Sequence, residues 1–260
     1  MPHAPIPRTI LRTCCSFLQR TRPHRLTSFR NKECFMKTKS LSLAIVLALS
    51  LPALAADKKM DQRISESTDV LKAVVGQTNG IPHEVLNKSV CVLVFPRVKK
   101  VGIGIGVSYG RGLLTCRTGT TMSGKWSAPA MYSLDTGSLG VQLGGSSTDF
   151  VLLVMNQQAA NKALSGKLKL GSDASANAGP SGAKAVAVDA DIYTYSRAKE
   201  GLFAGASLGS ASMEGDNDAN KSLYGKSVDA TQIVRDGQVT TPASGQPLIA
   251  LLDSASPKHM

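Results

Sequence analysis

The spacing of the apolar residues along the chain changes near residue 90. Between residues 60 and 75 apolar side chains recur at helical spacing (Met60, Ile64, Leu71, Val75), as on one face of an amphipathic helix. Beyond residue 90 they alternate with small or polar residues or form short blocks between glycine, proline and aspartate, which indicates β-strands. The apolar block at residues 150–155 predicts a strand buried on both faces.

Three strands are predicted between Trp126, the single tryptophan, and residue 155. Turn residues bound each of them, and Asp-Thr-Gly at residues 135–137 is predicted as the turn between the first two. The three strands cover residues 128–134, 139–143 and 150–155.

A second group of strands is predicted upstream of the tryptophan. The strand at 90–95 ends at a proline, and the basic residues that follow are predicted as a turn. The strand at 101–109 carries glycine at every second position, so another backbone or a ligand could approach its bare face closely. A turn at 110–112 leads into a strand at 113–117.

The predicted fold is α+β: one antiparallel β-rich core flanked by short helices, in a single domain from residue 56 to residue 260. Further strands are predicted at 183–189, 192–196 and 201–208, and helices at 60–75, 81–88, 156–164, 218–224, 230–234 and 246–252.

The N-terminal region predicts export. Residues 36–55 have a short basic head, an apolar run and Ala-Leu-Ala before Ala56, which is the pattern of a cleaved secretory signal peptide. An uncleaved anchor helix is the alternative, although the apolar run is short for a membrane span. Residues 1–35 are arginine-rich; we interpret them as a mispredicted N-terminal extension, with a transit peptide as the alternative.

Most of the positive charge lies in this leader. The whole chain has 30 Lys and Arg against 18 Asp and Glu, a net charge of +12. Residues 1–55 contribute nine basic residues and one Glu, so the predicted mature chain has a net charge of +4. That value favours an anionic membrane surface and does not require nucleic acid.

Two cysteines remain after the predicted cleavage, Cys91 and Cys116. An exported chain meets an oxidising compartment, so the two are predicted to form a disulfide. Two separate buried thiols are the alternative.

The candidate chemistry of the chain favours binding over catalysis. Gly-Ala-Ser-Leu-Gly around Ser207 spells the nucleophile elbow of α/β-hydrolases, but no helix is predicted after it and the mature chain has only His83 and His259. The acidic residues Asp216 and Asp218 suit a helix start better than a calcium loop. The spacing of cysteines and histidines matches no zinc site, and no cofactor or metal is predicted.

Basic residues on either side of the 101–109 strand form the candidate lipid site. Arg97, Lys99 and Lys100 follow a buried strand and Pro96, and Arg111 opens the neighbouring strand. Held on a rigid turn, these side chains could cradle a phosphate group; a solvated basic turn is the alternative.

The chain also resembles the SYLF-domain family, a group of lipid-binding domains whose fungal members bind actin. The resemblance covers residues 60–240 and rests on an ordered set of short motifs. They include Val-Phe-Pro at 94–96, Tyr-Gly-Arg-Gly at 109–112, Trp-Ser-Ala-Pro at 126–129, Gly-Pro-Ser-Gly at 179–182, Tyr-Ser-Arg-Ala-Lys at 195–199 and Gly-Leu-Phe-Ala-Gly at 201–205.

The resemblance implies a mixed α/β domain that engages anionic phospholipid, phosphoinositide in eukaryotic members. Actin is not expected as a partner of an exported bacterial chain. The expected function is therefore non-catalytic lipid binding at the cell envelope, with a periplasmic or envelope-associated location. The alternatives are a serine esterase or lipase that uses Ser207, and a structural envelope protein that binds another protein.

Overall fold

The structure is a computed structural model, and it describes residues 51–75, 77, 80–103, 105–138, 144–179, 190–198, 201–204, 208 and 211–257. Within these ranges the side chains of residues 51–57, 100–106, 137–138, 144–146, 178 and 201–204 are outside the description. The described residues fall in one compact unit, Leu49–Met260.

Six α-helices and nine strands are found in the described residues, in an order that confirms the predicted α+β class. The helices are α1 (Leu51–Val75), α2 (His83–Lys88), α3 (Gln157–Leu164), α4 (Asn217–Tyr224), α5 (Ala230–Val234) and α6 (Gln246–Ala255), with a 3-10 turn at Ala243–Gly245. The strands are β1 (Cys91–Ile103), β2 (Ile105–Cys116), β3 (Ala130–Ser138), β4 (Gly144–Val154), β5 (Lys167–Lys169), β6 (Ala176–Ala178), β7 (Ile192–Ala198), β8 (Gly201–Ala204) and β9 (Ala211–Gly215).

The nine described strands form one sheet in the order β5-β9-β3-β2-β1-β4-β7-β6, with β8 paired to β7. Every pairing is antiparallel except the one between β6 and β7. The long strands β1, β2, β3 and β4 lie at the centre, so they position the residues that later form the candidate site.

Both faces of the central sheet are buried, as the apolar block at 150–155 predicts. Leu152 and Val154 of β4 belong to a core shared with α3 and α5, which we call the α3 face. Val151 and Leu153 alternate onto the opposite face, where α1, α2, α4 and α6 pack. We call this the α1 face. Each fully buried aliphatic side chain contributes about 1.5–3 kcal/mol, so the two layers fix the sheet firmly.

The helix boundaries follow local capping chemistry. The side chain of Asn156 accepts a hydrogen bond from the amide of Ala159 at the start of α3. Asp229 begins α5 through a capping box in which the side chain of Gln232 bonds back to the Asp229 amide. Asp216 caps α4, which confirms the helix-start role that the sequence predicts for this acidic segment.

The predicted turns at 97–100, 110–112 and 135–137 are wrong, because all three segments lie inside long strands. A β-bulge between Phe95 and Val98 absorbs the proline, and Arg97 takes a positive φ of 49° there. Residue 112, opposite this bulge, is a glycine. A Cβ atom there would stand 1.9 Å from the carbonyl oxygen of Val94, so no larger residue fits. The strands predicted at 139–143 and 183–189 fall outside the described residues.

The predicted disulfide is present in the structure. Cys91 and Cys116 are fully buried and directly opposed in the β1–β2 register, and their sulfur atoms are bonded. The bond joins the start of β1 to the end of β2, so it closes the base of the central hairpin.

A buried arginine ties the C-terminal residues to the sheet. The Arg117 guanidinium donates to the carbonyl of Ser256 at 2.9 Å and to its hydroxyl at 2.6 Å, and it stacks on Trp126 at 4.5 Å from the ring centroid. Burial lowers the pKa of Arg117 from its ordinary value, although the charge of Asp253 opposes that shift. The C-terminal segment is thereby held against the sheet after α6.

Among the described residues, no helix is both long enough and apolar enough to cross a membrane. The predicted signal peptide lies almost entirely in residues 1–50, outside the description, and only its last five residues fall in α1. Cleavage before Ala56 therefore stays a prediction.

Candidate functional site

Five cationic side chains line a cleft between α1 and the bulged part of the sheet. The cleft has a volume of about 590 Å³. Helix α1 supplies one wall, and β1 and β2 supply the other. The lining residues are Lys59, Gln62, Arg63, Glu66, Pro96, Arg97, Lys99, Tyr109, Gly110 and Arg111.

A single carboxylate, Asp216, organises the inner end of this cleft. Its Oδ2 accepts from Arg63 Nη1 at 3.2 Å and from Arg111 Nη1 at 2.8 Å. Its Oδ1 accepts from the Ala219 amide at 3.1 Å, which caps α4. The side chains of Arg63 and Asp216 are only 8% and 11% exposed, so their pairing is shielded from solvent. Asp216 therefore joins α1, β2 and α4.

The outer end of the cleft is closed by a second ion pair. Arg97, at the bulge, pairs with Glu66 of α1. The Arg97 amide donates to Asp149 Oδ1 at 2.8 Å, and Asp149 Oδ2 accepts from Arg197 Nη2 at 2.7 Å. The strained backbone of the bulge is thus held by a side-chain carboxylate on β4, and its orientation is fixed.

Arg111 is half-exposed at the mouth of the cleft although it is paired with Asp216. Its side chain is 50% exposed, and its guanidinium lies 5.5 Å from the centroid of the Tyr109 ring. The hydrogen bond from Arg111 to the Tyr109 hydroxyl, followed by the charge of Asp216, raises the pKa of Arg111. Arg111 can therefore turn toward a ligand while it keeps its charge.

The structure brings three of the four predicted lipid-binding side chains to this one cleft: Arg97, Lys99 and Arg111. The backbone of Lys100 continues β1, opposite Ser108 and Ser146, and its side chain lies outside the description. The three occupy a bulge and two adjacent strands, and not the predicted basic turn.

Sequence reasoning missed the contribution of α1. Lys59, Arg63 and Glu66 lie three to four residues apart, which places them on one side of a helix. That spacing is visible in the sequence, but the partner of Arg63 is 153 residues away and no local pattern indicates it. The sequence pattern predicts Tyr109 as the end of a strand and does not indicate its place in the cleft.

The charges of the cleft do not balance. Five cationic side chains stand against the two carboxylates of Glu66 and Asp216, a surplus of three positive charges. Neither Lys59 nor Lys99 forms an ion pair with a carboxylate of the described residues. The exposed side chain of Asp135, opposite Tyr109 in the β2–β3 register, lowers the surplus at the outer rim. The cleft is suited to an anion with several oxygen atoms, such as a phosphate group.

The other candidates from the sequence form no second site among the residues that the structure describes. Ser207, the serine of the predicted elbow, lies outside the described residues. Asp218 is in the first turn of α4, and Asn220 is buried and accepts from the Met131 amide at 2.7 Å. In the part of the chain that the structure describes, no group of three or more His, Cys, Asp or Glu residues is placed to hold a metal ion.

Comparison with known proteins gives consistent matches. Residues 135–255 match the family Ysc84, described as "Las17-binding protein actin regulator". The chain is 34% identical over 192 residues to SH3 domain-containing protein PJ696.02 of Schizosaccharomyces pombe, which covers 70% of the chain and 43% of that protein.

Vertebrate proteins match as well. The chain is 26% identical over 212 residues to SH3 domain-containing YSC84-like protein 1 of Xenopus laevis, covering 79% of the chain and 62% of that protein. The human protein of the same name is 27% identical over 208 residues, covering 78% of the chain and 59% of that protein. The chain thus spans about half the length of the curated relatives it matches.

Proposed function

The chain belongs to the Ysc84, or SYLF-domain, family, and on that premise we propose that it is a non-catalytic domain that binds anionic phospholipid at the cell envelope. The observation that carries this proposal is the cleft between α1 and the bulge, with its surplus of three positive charges on a rigid sheet. Cations that are already held in place meet a headgroup at little cost in ordering.

The expected strength of binding follows from the number of available cations. Each Lys or Arg near an anionic surface contributes about 1 kcal/mol, so a surplus of three contributes about 3 kcal/mol. Binding of that strength falls as salt screens the charges. The proposal therefore predicts salt-sensitive adsorption to anionic vesicles and little adsorption to neutral ones.

Sedimentation with vesicles tests the proposal. Vesicles of phosphatidylglycerol and phosphatidylcholine are compared with vesicles of phosphatidylcholine alone, using the chain from Ala56 onward. We expect the double variant Lys59→Gln, Lys99→Gln to bind the anionic vesicles at least tenfold more weakly at low salt, with an unchanged melting temperature. The surplus of the cleft falls from three charges to one in this variant.

The double variant Lys167→Gln, Lys169→Gln is the matched control. Both lysines are exposed on β5, at the edge of the sheet away from β1, and the pair carries the same charge. We expect this control to bind as the wild type does. Equal weakening in both variants would mean that net charge alone governs adsorption, and no sedimentation of the wild type would overturn the proposal.

Catalysis at Ser207 is tested separately with short-chain esters. We expect Ser207→Ala to leave any esterase activity unchanged, because the sequence provides no suitable histidine near an elbow. Loss of a robust esterase activity in a folded Ser207→Ala protein would favour catalysis over lipid binding as the function of the chain.

A protein partner is the second candidate function. The matched family is described as a Las17-binding actin regulator, and an acidic protein surface could occupy the same basic cleft. A chain exported as the signal sequence predicts would not meet actin in the cell of origin. Co-sedimentation with filamentous actin distinguishes the two: binding that Lys59→Gln, Lys99→Gln abolishes would favour the protein partner.

A further inference from the structure

The far end of the β1–β2 hairpin exposes apolar side chains. Val107 is 58% exposed and Tyr109 is 43% exposed. Every other large hydrophobic side chain that the structure describes is buried or partly buried. Both lie on the α1 face of the same strand as Arg111: Tyr109 is two residues before it and Val107 is four residues before it. Exposure of two neighbouring apolar side chains in an otherwise well-buried sheet requires an explanation.

The neighbouring strands leave these side chains uncovered. Val107 is opposite Gly137 of β3 on one side and Val101 of β1 on the other, and Val101 is opposite Gly145 of β4. The row across the sheet is therefore two valines between two glycines. The backbone of Ile103 pairs with that of Ile105 at the end of the hairpin. We call Val107 and Tyr109 the apolar hairpin face.

The backbone of the hairpin is already paired on both outer sides. Gly106 pairs with Ser138 of β3, and Gly102 pairs with Gly144 of β4. Unpaired backbone groups make entry into a lipid layer costly, and strands flanked on both sides avoid most of that cost. The hairpin can therefore approach the acyl region of a bilayer without unsatisfied edges along these positions.

Three cations and the carboxylate of Asp135, which is opposite Tyr109 on β3, flank the base of the apolar hairpin face. Lys99 is directly opposite Tyr109, and Arg111 and Arg97 line the cleft behind them. The backbone of Val107 lies about 7 Å beyond that of Tyr109 along the strand. Peripheral proteins bury apolar groups about 5–10 Å into the boundary between headgroups and acyl chains, so this distance matches a tilted hairpin.

We propose that the apolar hairpin face inserts into the headgroup–acyl boundary of an anionic bilayer, with Tyr109 and Lys99 at headgroup level and the adjoining cleft on a lipid phosphate. This inference rests on the proposed function and deepens it, because it adds an apolar contact to the electrostatic one. Electrostatic adsorption or one apolar insertion alone is reversible, whereas the two signals together give stable attachment. Tyrosine is enriched at this depth because its ring is apolar and its hydroxyl is polar.

Charge selects the bilayer over a second copy of the chain as the occupant. Two copies that met through this face would bring two positively surplus clefts close together, and like charges would oppose the contact. An anionic headgroup layer instead complements the cations around the base. The bilayer is thus the occupant that satisfies both the apolar and the charged part of the surface.

Fluorescence of Val107→Trp on vesicles tests the insertion directly. We expect its emission to shift to shorter wavelength on phosphatidylglycerol vesicles and to be quenched by lipids brominated in the upper acyl chain. Ser172→Trp, at an exposed position just after the edge strand β5, is the control and should show neither effect. Trp126 is buried and supplies a constant background.

Binding measured at high salt, where charge effects are screened, separates the apolar from the electrostatic contribution. Val107→Asp should keep the melting temperature of the wild type, because the side chain of Val107 is exposed. At high salt it should bind anionic vesicles at least tenfold more weakly than the wild type does. Lys59→Gln, Lys99→Gln should instead lose the binding at low salt.

The outcomes distinguish this inference from the proposed function. Wild-type protein that does not sediment with anionic vesicles overturns both. Sedimentation of Val107→Trp without a shift or quenching overturns the insertion alone, as does full salt-resistant binding by Val107→Asp. A concentration-dependent shift without vesicles would mean that a second copy covers the face, which also overturns the insertion.

Discussion

Replacing Asp216 by asparagine should lower stability and strengthen anion binding at the same time. Asparagine caps a helix about as well as aspartate, so α4 keeps its start. What disappears is the negative charge shared by Arg63 and Arg111. Arg63 is then left buried with no counter-charge, whereas the half-exposed Arg111 can turn to solvent or to a ligand.

The magnitude follows from the burial of each arginine. A charged hydrogen bond contributes about 1.5–3 kcal/mol, and leaving one partner of a buried ion pair alone costs about 3–5 kcal/mol. The exposed Arg111 adds no more than about 1 kcal/mol. We therefore expect a loss of about 3 kcal/mol in the free energy of unfolding, or about 6–12 °C in melting temperature for a domain of this size.

Asp229→Asn is the matched control for this experiment. Asp229 also caps a helix through its side chain, but it has no ion pair with a cation of the described residues. Its replacement removes the same charge and should change the free energy of unfolding by less than about 0.5 kcal/mol. Denaturant titration of both variants at neutral pH measures the difference.

Two further measurements complete the test. Adding Arg63→Met to Asp216→Asn removes both buried partners and should restore part of the lost stability. Asp216→Asn alone should bind phosphatidylglycerol vesicles about fivefold more tightly at low salt, because one more cation is available at about 1 kcal/mol. Equal stability of Asp216→Asn and Asp229→Asn would refute the reasoning, since Arg63 would then not depend on this carboxylate.

Three other predictions follow from the structure and the sequence. Replacing Cys91 and Cys116 together by alanine should cost about 3 kcal/mol, as expected for a loop of this length, and the denatured, unreduced wild type should show no free thiol on titration. Hydrogen bonds from the Ser175 amide, the Asn156 amide group and the Ser175 hydroxyl lower the pKa of Asp191. Its contribution to stability is therefore fully present above the unfolded pKa and is lost as the pH falls through the lower, folded pKa. Asp191→Asn should show a weaker loss of melting temperature with acid in a pH-dependent melting series. Intact-mass measurement of exported protein should give an N-terminus at Ala56, and a chain that keeps Met36 would contradict the signal-peptide prediction.

The sequence predicted the layers of the fold well because burial leaves a periodic trace. The continuous apolar block at 150–155 indicated burial on both faces, and Leu152 and Val151 do belong to opposite cores. Helix α5 was predicted with its observed bounds, since apolar residues at helical spacing follow a capping aspartate.

The sequence failed at the bulge because glycine and proline there serve a close approach and not a turn. Pro96 and Gly112 lie on adjacent strands at the register shift, where the backbone of β1 comes close to Gly112 of β2. The shift of one residue also brings Lys99 onto the α1 face beside Tyr109, whereas simple alternation from Val94 would place it on the opposite face. The cleft depends on that shift, so its geometry could not be derived from the period of the strand.

The ion pairs of the cleft were beyond sequence reasoning for a different reason. Arg63 and Asp216 meet only because α1 and α4 pack on the same face of a sheet whose strand order is not the chain order. A pattern within a window of residues carries no information about such a contact. The cations themselves were visible, and Arg97, Lys99 and Arg111 do share one cleft.

The position of the last helix sets the time at which this domain can fold during synthesis. Leu248 and Leu252 of α6 complete the same core as Ile64 and Leu71 of α1, and Arg117 donates to oxygen atoms of Ser256 and Pro257. A ribosome-bound chain that lacks these residues leaves one side of the sheet open. Folding then requires almost the whole polypeptide. A secretion channel that accepts only unfolded chains would therefore receive this chain before it has folded.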